Sequence, residues 1–457
     1  MKHGIITAML LAVVAYEAAA GDFETASSAV SNMRVGWNLG NTLESNSGDV
    51  NNMWIEAWTD RSPSAYETAW GQPVTKAELM RMMKEAGFNA IRVPVTWWPH
   101  MEATFSSVKW SDAKQGLTAW DKANDDIGST VKKAWMKRVH EVVDYVVSQG
   151  MYCILNVHHD TGAGNTAWLK ASENDYAQQK GRFEAVWKQI AEEFRDYDEH
   201  LLFEGYNEML DPYDSWCFAS FATSNNYDAS VAASAYKAIN SYAQSFVDAV
   251  RSTGGNNAQR NLIVSTYGAC CGSGSWNSHL QDPLKQMKLP TDAAANHIVF
   301  EVHSYIDVKN LSSAKSEVNQ TISDIKKHLA SKGAPVIFGE WGTSTDKGYD
   351  NYRSNMLAFA RYFVEQANAN DIGTFYWMGL SEGEHRSVPE FNQADLKDAI
   401  IKGYYGEDGF SGITPNSINA SPVVTGYYNL QGHRLTAPRR GINMAKMDDG
   451  SVRVFVR

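Results

Sequence analysis

The sequence predicts an α/β fold, an eight-stranded parallel (β/α) TIM barrel with a short β-rich C-terminal tail. Short β-type runs recur along the chain and leave room for a helix between them, which is the pattern of a parallel sheet. Eight runs can be counted, and eight such repeats close into a barrel. They are Arg34 to Leu39, Ala90 to Pro94, Tyr152 to Val157, Leu201 to Tyr206, Leu262 to Ser265, Ile298 to Glu301, Val336 to Phe338 and Gly373 to Trp377.

Helical patterns fill most of the gaps between these runs, although the fifth and eighth connections are less clear. Gly87 and Gly150 follow two of the helices, where glycine commonly ends a helix. A doubly wound open sheet is the alternative, but the segment Gly36 to Gly40 does not supply the phosphate loop that such a fold would require. The predicted helices are Thr75 to Ala86, Lys132 to Ser148, Arg182 to Arg195, Ala235 to Arg251, Ala314 to Ala330 and Asn351 to Asn368.

The composition bounds the class of protein. With 457 residues, 44% hydrophobic and 20% charged, the chain can bury a sizeable core, which excludes a disordered chain and a membrane protein. The net charge of -11 repels phosphate backbones, so we expect no nucleic acid partner. A neutral polysaccharide is indifferent to that charge, and the 15 Trp and 21 Tyr offer rings that can lie against sugars.

Both ends of the chain differ in character from its middle. Lys2, the apolar run Gly4 to Tyr16 and the alanines up to Ala20 predict a signal peptide at residues 1–20. We therefore expect a secreted protein, extracellular or attached to the cell surface, with no membrane-spanning segment and a monomeric state. Residues 21–405 are assigned to the barrel. Residues 406–457 are assigned to a linker and a β-rich tail, which resembles the C-terminal sorting segments of secreted bacterial enzymes.

The four cysteines do not indicate a catalytic or metal-binding role. An oxidising compartment permits a disulfide between Cys217 and either Cys270 or Cys271. Cys153 lies in an apolar run and is expected to be a small buried residue. No cysteine spacing matches a zinc site, and the sequence predicts neither a metal nor an organic cofactor.

The active site of such a barrel lies at the C-terminal ends of its strands, so the polar residues that end each run become candidates. Two glutamates stand out, because Glu208 and Glu340 each follow an apolar strand, where a carboxylate is costly unless it faces a polar cavity. A salt-bridged glutamate at the barrel rim is the alternative for each. The full set of candidates is Asn38, Arg92, His158, His159, Asn207, Glu208, His303, Tyr305, Glu340 and Trp377.

An ordered set of motifs from Arg34 to Met378 resembles glycoside hydrolase family 5. It includes Gly36 to Thr42, Gly87 to Trp97 and Asn156 to His159, then Asn207-Glu208, His303-Ser304-Tyr305, Gly339-Glu340 and Trp377. The resemblance implies a retaining glycosidase with Glu208 as acid/base and Glu340 as nucleophile. Retention requires two carboxyls about 5 Å apart, one to protonate the leaving oxygen and one to attack the anomeric carbon.

The resemblance also implies supporting roles around the two carboxyls. Arg92 would hold Glu340 ionised, Asn207 would donate to the 2-hydroxyl of the sugar, and His158 would join the active-site network. Taken alone, His158-His159-Asp160 suggests a metal site, but adjacent strand residues point to opposite faces.

His303 and Tyr305 face the same way. Tyr305 is expected to hydrogen-bond Glu340, and His303 to contact either Glu208 or sugar; a pair that is merely packed is the alternative. Trp377 is expected to form the aromatic floor for the sugar at the cleavage point, and Asn38 to bind substrate. Further loop tryptophans are candidates for neighbouring sugar subsites: Trp97, Trp98, Trp216 and Trp276.

The resemblance implies a retaining endo-β-1,4-glucanase that hydrolyses internal bonds of plant cell-wall polysaccharide, with a β-linked polysaccharide as its partner. Mixed-linkage glucan, xyloglucan and mannan are alternative substrates for the same mechanism. The segment Glu67 to Gly71 is closer to endoglucanase branches, whereas Met209 replaces the Pro that often follows Asn-Glu there. A non-catalytic glycan-binding barrel is the alternative from another class, and the presence of both glutamates argues against it.

Overall fold

The computed structural model describes residues 23–106, 108, 119–123, 126–216, 227–273, 277–343 and 349–412, together with four short strands between 424 and 456. Eight parallel strands close into a barrel in chain order, with the first strand paired to the eighth. The predicted fold is confirmed. The strands are β1 Val35–Asn38, β2 Ala90–Val93, β3 Tyr152–Asn156, β4 Leu201–Glu204, β5 Leu262–Cys270, β6 Ile298–Ile306, β7 Val336–Thr343 and β8 Gly373–Tyr376.

Helices connect the strands on the outside of the barrel. The two that begin furthest ahead of their predicted starts do so because Ser172 and Asp228 accept hydrogen bonds from backbone amides of the first turn and start each helix in a polar turn. The helices are α1 Ala26–Asn32, α2 Trp54–Trp58, α3 Pro63–Glu67, α4 Ala77–Glu85, α5 Lys133–Val147, α6 Glu173–Glu193, α7 Ala229–Arg251, α8 Asp282–Gln286, α9 Leu311–His328, α10 Tyr349–Ala369, α11 Glu384–Ser387 and α12 Ala394–Gly412.

The barrel interior changes from apolar to charged along the strands. At the N-terminal end, α1 covers a buried apolar layer that includes Ala90, Ile154, Leu202, Ile263, Val299 and Ile337. Two positions further along each strand the side chain faces inward again, because strand side chains alternate. Those positions hold Arg92, Asn156, Glu204, Ser265, Glu301 and Gly339. A charged layer therefore lies on the apolar one, directly beneath the C-terminal mouth.

Strands β5, β6 and β7 run well beyond their predicted ends and carry the candidate residues His303, Tyr305 and Glu340. The register between β6 and β7 shifts after Val302, where it passes from Val302 opposite Phe338 to His303 opposite Glu340. Gly339 is the residue left without a partner in that register. This irregularity sets the two strands' functional side chains at the same height.

The C-terminal residues form two parts. Helix α12 lies against α10, and the two backbones approach so closely that a Cβ on Gly403 would be 2.6 Å from the carbonyl oxygen of Arg361. Beyond it, four antiparallel strands form a separate sheet, β9 Val424–Tyr428, β10 Arg434–Leu435, β11 Ile442–Met447 and β12 Val452–Val456. The predicted boundary after residue 405 falls inside α12 and stays a prediction.

Three predictions meet the limits of the described chain. Residues 1–20, Cys217 and Trp276 lie outside it. Cys270 and Cys271 form no disulfide within the described residues, and because Cys217 lies outside them, its pairing with either one stays a prediction. Cys153 is fully buried, as predicted. Among the described residues, no helix has both the length and the apolar character needed to cross a membrane.

Candidate active site

The C-terminal mouth of the barrel brings the two predicted glutamates together. Glu340 lies on β7, and Glu208 lies four positions beyond the end of β4. A carboxylate oxygen of Glu208, one of Glu340 and a ring nitrogen of His303 all lie within 4.8 Å of one another. The fold thus brings the two predicted carboxyls close together, with His303 beside them.

Glu340 is held from several sides. Its Oε1 accepts from Nη1 of Arg92 at 2.8 Å, and its Oε2 accepts from the Tyr305 hydroxyl at 2.7 Å. His158 Nε2 lies 3.8 Å from Oε1. The Glu340 side chain is only 6% exposed. These donors fix both oxygens and balance their charge, as a carboxylate that attacks carbon requires.

Arg92 is the cation at the centre of the charged layer. It is fully buried and forms two hydrogen bonds with Glu204, from Nε at 2.6 Å and from Nη2 at 2.7 Å. Its Nη2 also donates to Oδ1 of Asn207 at 2.7 Å. Burial opposes the charge, but Glu204 and Glu301 outweigh it and hold the pKa of Arg92 above its ordinary value. Arg92 therefore stays cationic and orients the amide of Asn207.

His303 joins the acid/base candidate to the charged layer. Its Nδ1 lies 2.8 Å from Oε1 of Glu208, and its Nε2 lies 3.3 Å from Oε1 of Glu301. Burial disfavours the charged ring, but Glu340, Glu208 and Glu301 outweigh burial and raise the pKa of His303 to about 10. These carboxylates therefore favour the protonated, imidazolium form of the ring.

His158 has the opposite character. The Asn156 amide lies 2.9 Å from Nδ1 of His158 and 2.8 Å from Oε1 of Glu204, so Asn156 donates to both. Burial, with the nearby His159 and Arg92, holds the pKa of His158 well below its ordinary value. A neutral ring that accepts at Nδ1 carries its hydrogen on Nε2, which faces Glu340.

Comparison with known proteins agrees with this geometry. The profile of the family described as Cellulase (glycosyl hydrolase family 5) matches residues 51–382. The chain belongs to glycoside hydrolase family 5. The chain is similar to an endoglucanase B from Neocallimastix patriciarum, with 31% identity over 82% of this chain and 71% of that protein. It is also similar to an endoglucanase A from Clostridium longisporum, with 30% identity over 85% of this chain and 68% of that protein.

Solved structures extend the comparison. A broad-specificity family 5 endoglucanase from an uncultured bacterium is 51% identical, with a TM-score of 0.75, over 86% of this chain and 98% of that one. A family 5 enzyme from Prevotella bryantii, solved with a xyloglucan tetradecasaccharide, is 37% identical, with a TM-score of 0.69. The match covers 84% of this chain and 99% of that one. This family 5 protein is therefore a glycoside hydrolase that acts on β-glucans.

Two groups of predictions for this family 5 enzyme need correction. Asn38 is fully buried, donates to the carbonyl of Gly339 at 2.9 Å and accepts from Arg92 at 3.0 Å. Its amide is thus occupied inside the barrel and supports Arg92 instead of binding substrate. Trp97 and Trp98 are fully buried as well, so they belong to the core and not to sugar subsites.

The aromatic prediction for Trp377 agrees better with the structure. Its ring is partly exposed and lies parallel to His158, with 5.7 Å between centroids and 2° between planes. A Cβ on Gly40 would come within 3.0 Å of the Trp377 ring, so this glycine allows the first loop to approach it. The indole can thus present a face to the cleft beside the carboxyl pair.

Sequence reasoning missed Glu204 and Glu301, two fully buried carboxylates of the charged layer. The position of each residue along its strand could have indicated both of them. Glu301 lies two residues before His303 on one strand and therefore faces the same side. Glu204 interrupts an apolar strand in the same way, and a buried charge in such a strand requires a cation opposite it.

A cavity of about 520 Å³ adjoins Glu208. Its wall includes Trp216, Cys271, Leu280 and Tyr305. Glu208, His303 and Glu340 are near enough to share a cation. Within the described residues, however, the Arg92 guanidinium and the imidazolium of His303 already supply the positive charge that these carboxylates need.

Proposed function

We propose that this family 5 enzyme is a retaining endo-β-1,4-glucanase that works by double displacement. The observation that carries the proposal is the approach of Glu208 and Glu340 to within 4.8 Å. Retaining glycosidases keep their carboxyls about 5 Å apart, whereas inverting ones leave room for a water at about 6.5 to 9.5 Å. The separation favours direct attack by one carboxylate.

In the first step, Glu340 attacks the anomeric carbon while Glu208 gives its proton to the leaving glycosidic oxygen. A glycosyl-enzyme ester forms on Glu340, and the leaving chain departs with a new hydroxyl. In the second step, Glu208 is a carboxylate and takes a proton from water as that water attacks the same carbon. Glu340 leaves, and the product keeps the β configuration.

The surrounding residues support each step. Arg92 and Tyr305 hold Glu340 by opposite oxygens, which keeps the nucleophile ordered before attack. Arg92 occupies Oδ1 of Asn207, so the amide nitrogen is directed away from Arg92 and serves the 2-hydroxyl of the sugar. Trp377 provides the face on which that sugar rests. None of these steps requires a metal or organic cofactor.

The relatives guide the choice of substrate. One similar structure is that of a broad-specificity endoglucanase, another that of a xyloglucan-specific endo-β-1,4-glucanase, and a third that of a lichenase. We propose β-1,4-linked glucan as the main substrate, with xyloglucan and mixed-linkage glucan as second candidates. The N-terminal Lys2 and the apolar run after it support export, which would place the enzyme where such polysaccharides occur.

The test is hydrolysis of carboxymethylcellulose, mixed-linkage glucan, xyloglucan and mannan, with Glu340→Gln as the inactive control. We expect the viscosity of the glucans to fall much faster than reducing ends appear, which indicates internal cutting. Proton NMR of the fresh products should show the β-anomer first. An initial α-anomer would overturn the retaining mechanism, and exclusive release of monosaccharide or disaccharide would overturn the internal cutting.

A further inference from the structure

We propose that Glu301 is a positioning residue for the acid/base step, which acts through His303 to decide which oxygen of Glu208 carries the reactive proton. This inference rests on the proposed function. Glu301 is fully buried and contacts His303, which in turn contacts Glu208, so its action on Glu208 passes through the imidazole ring.

The contacts of His303 place one carboxyl group at each ring nitrogen, an arrangement that a doubly protonated ring satisfies by donating to both. Its Nδ1 faces Oε1 of Glu208 at 2.8 Å, and its Nε2 faces Oε1 of Glu301 at 3.3 Å. A neutral imidazole carries a hydrogen on one nitrogen alone and could donate to only one of these carboxylates. The imidazolium donates to both. Glu301 therefore fixes the charge of the ring and its orientation at the same time.

Glu301 is itself held in one position. Its Oε1 lies 3.3 Å from Nε of Arg92, and its Oε2 lies 2.5 Å from Oγ of Ser265. Burial disfavours the carboxylate, but Arg92 and His303 outweigh it and keep the pKa of Glu301 below its ordinary value. A buried anion with several donors is ordered and persistent. It can thus hold the imidazole ring without moving.

Strand β7 has a glycine, Gly339, where the carboxylate of Glu301 lies against it. A Cβ on Gly339 would lie 1.6 Å from Oε1 of Glu301, which is far inside contact distance. Gly339 is also the residue skipped where the β6 and β7 register shifts, and it directly precedes Glu340. The glycine beside the nucleophile therefore accommodates Glu301. This is a second observation, independent of the histidine contacts.

Several charged or titratable groups face His303 from neighbouring strands. Two carboxylates lie nearest, and a third is 3.6 Å from Nδ1. Together these anions outweigh burial and raise the pKa of the ring to about 10. The groups are Glu301 on β6, Glu208 after β4, Glu340 on β7, Arg92 on β2 and His158 after β3.

The consequence concerns proton transfer. Because Nδ1–H of His303 donates to Oε1 of Glu208, the transferable proton of Glu208 resides on Oε2. A ring that is already protonated cannot accept that proton, so it goes to the glycosidic oxygen. A neutral ring would compete for it. Glu301 thereby keeps the histidine a fixed donor through both steps.

The test compares Glu301→Gln with Glu204→Gln, a matched variant that loses a buried carboxylate on Arg92 without touching His303. The ring protonation is followed by NMR with labelled histidine, and His303→Asn identifies the resonance. In the wild type and in Glu204→Gln, the ring should stay protonated through neutral pH. In Glu301→Gln, its titration should move down by at least about one pH unit. An unchanged titration in Glu301→Gln overturns the proposal.

Gly339→Ala reaches the same carboxylate from the other side and keeps the test valid if Glu301→Gln folds poorly. Gly339→Ala alone should lower the pH at which His303 titrates, because it displaces the Glu301 carboxylate. An unchanged titration in Gly339→Ala would contradict the proposal. Because this readout needs no turnover, it is separate from the substrate and anomer tests of the proposed function.

Activity supplies a second readout. For Glu301→Gln the loss of kcat/KM on polysaccharide should exceed the loss on an aryl cellobioside by about tenfold. An aryl leaving group needs little protonation, so a defect in the acid step spares it. Equal losses on both substrates would show a purely structural role for Glu301.

Discussion

Arg92 reaches from β2 across the barrel interior to Glu340 on β7, with 2.8 Å between its Nη1 and the Glu340 Oε1. The same guanidinium lies between Glu204 and Glu301. One buried cation thus orders the nucleophile and balances the carboxylates beneath it.

Replacing Arg92 by Met should therefore affect both stability and chemistry. Removing the cation from buried carboxylates is expected to cost about 3 to 5 kcal/mol in the free energy of unfolding. Loss of the Glu340 contact should lower kcat by about a hundredfold or more. Urea denaturation and kinetics on a soluble glucan measure the two effects.

Arg138→Met is the matched control. Arg138 also binds a buried carboxylate, that of Glu67, at 2.8 Å, but it lies on α5 outside the active site. The Arg138→Met variant should be less stable than the wild type but keep the wild-type kcat at temperatures where the protein remains folded. An Arg92 variant with wild-type kcat would contradict the account of that residue.

The two catalytic glutamates should be separable by their response to leaving groups. Glu208→Ala should retain the first step on an activated aryl cellobioside, because such a leaving group needs no proton. Glu340→Ala should recover no activity on it unless a small anion such as azide is added. Stopped-flow release of the aryl alcohol measures this step. Equal behaviour of the two variants would contradict the assignment of roles.

Stability should also depend on the charge of His303. Its pKa in the folded protein is raised from 6.5 to about 10, so its stabilising contribution is complete below pH 6.5 and is lost as the pH rises through 10. The difference in free energy of unfolding between wild type and His303→Asn should therefore shrink from pH 6 to pH 10. The change should be on the order of a few kcal/mol. A difference that stays constant with pH would contradict an imidazolium at this position.

The tail should be dispensable for chemistry, with one adjustment to its boundary. The Tyr405 hydroxyl donates to the carbonyl of Gly87 at 2.9 Å, and Glu407 pairs with Arg361 on α10. A chain that ends at residue 405 would lose the second of these contacts, so the cut belongs after Gly412. The shortened chain should hydrolyse soluble glucan as fast as the longer one. A large fall in the melting temperature of the shortened chain would show that this domain boundary is wrong.

Much of the site could be predicted because Glu208 and Glu340 follow apolar strands, and because barrel strands bring their C-terminal ends together. The contacts of His303 with Glu208 and of Tyr305 with Glu340 were also predicted and are present. These predictions rest on one strand at a time. The alternation of inward and outward side chains along a strand, and the order of the strands, can be deduced from the local sequence.

The charged layer could not be predicted in this way. A carboxylate inside a barrel is tolerated only where a cation meets it, and Arg92 is 112 positions from Glu204 in the chain. How deeply a side chain is buried at the mouth of the barrel also depends on residues far away in the sequence. Asn38 and Trp97 end apolar runs as Glu340 does, yet both are covered by neighbouring strands and loops.

The most direct test of the central claim is to trap the glycosyl-enzyme. A 2-deoxy-2-fluoro-β-cellobioside with a good leaving group slows the second step, so the ester accumulates and its peptide can be identified by mass spectrometry. We predict stoichiometric labelling on Glu340, in the wild type and in Glu208→Ala, and none in Glu340→Gln. A label on Glu208, or inactivation without any covalent adduct, would contradict the assignment of Glu340 as the nucleophile.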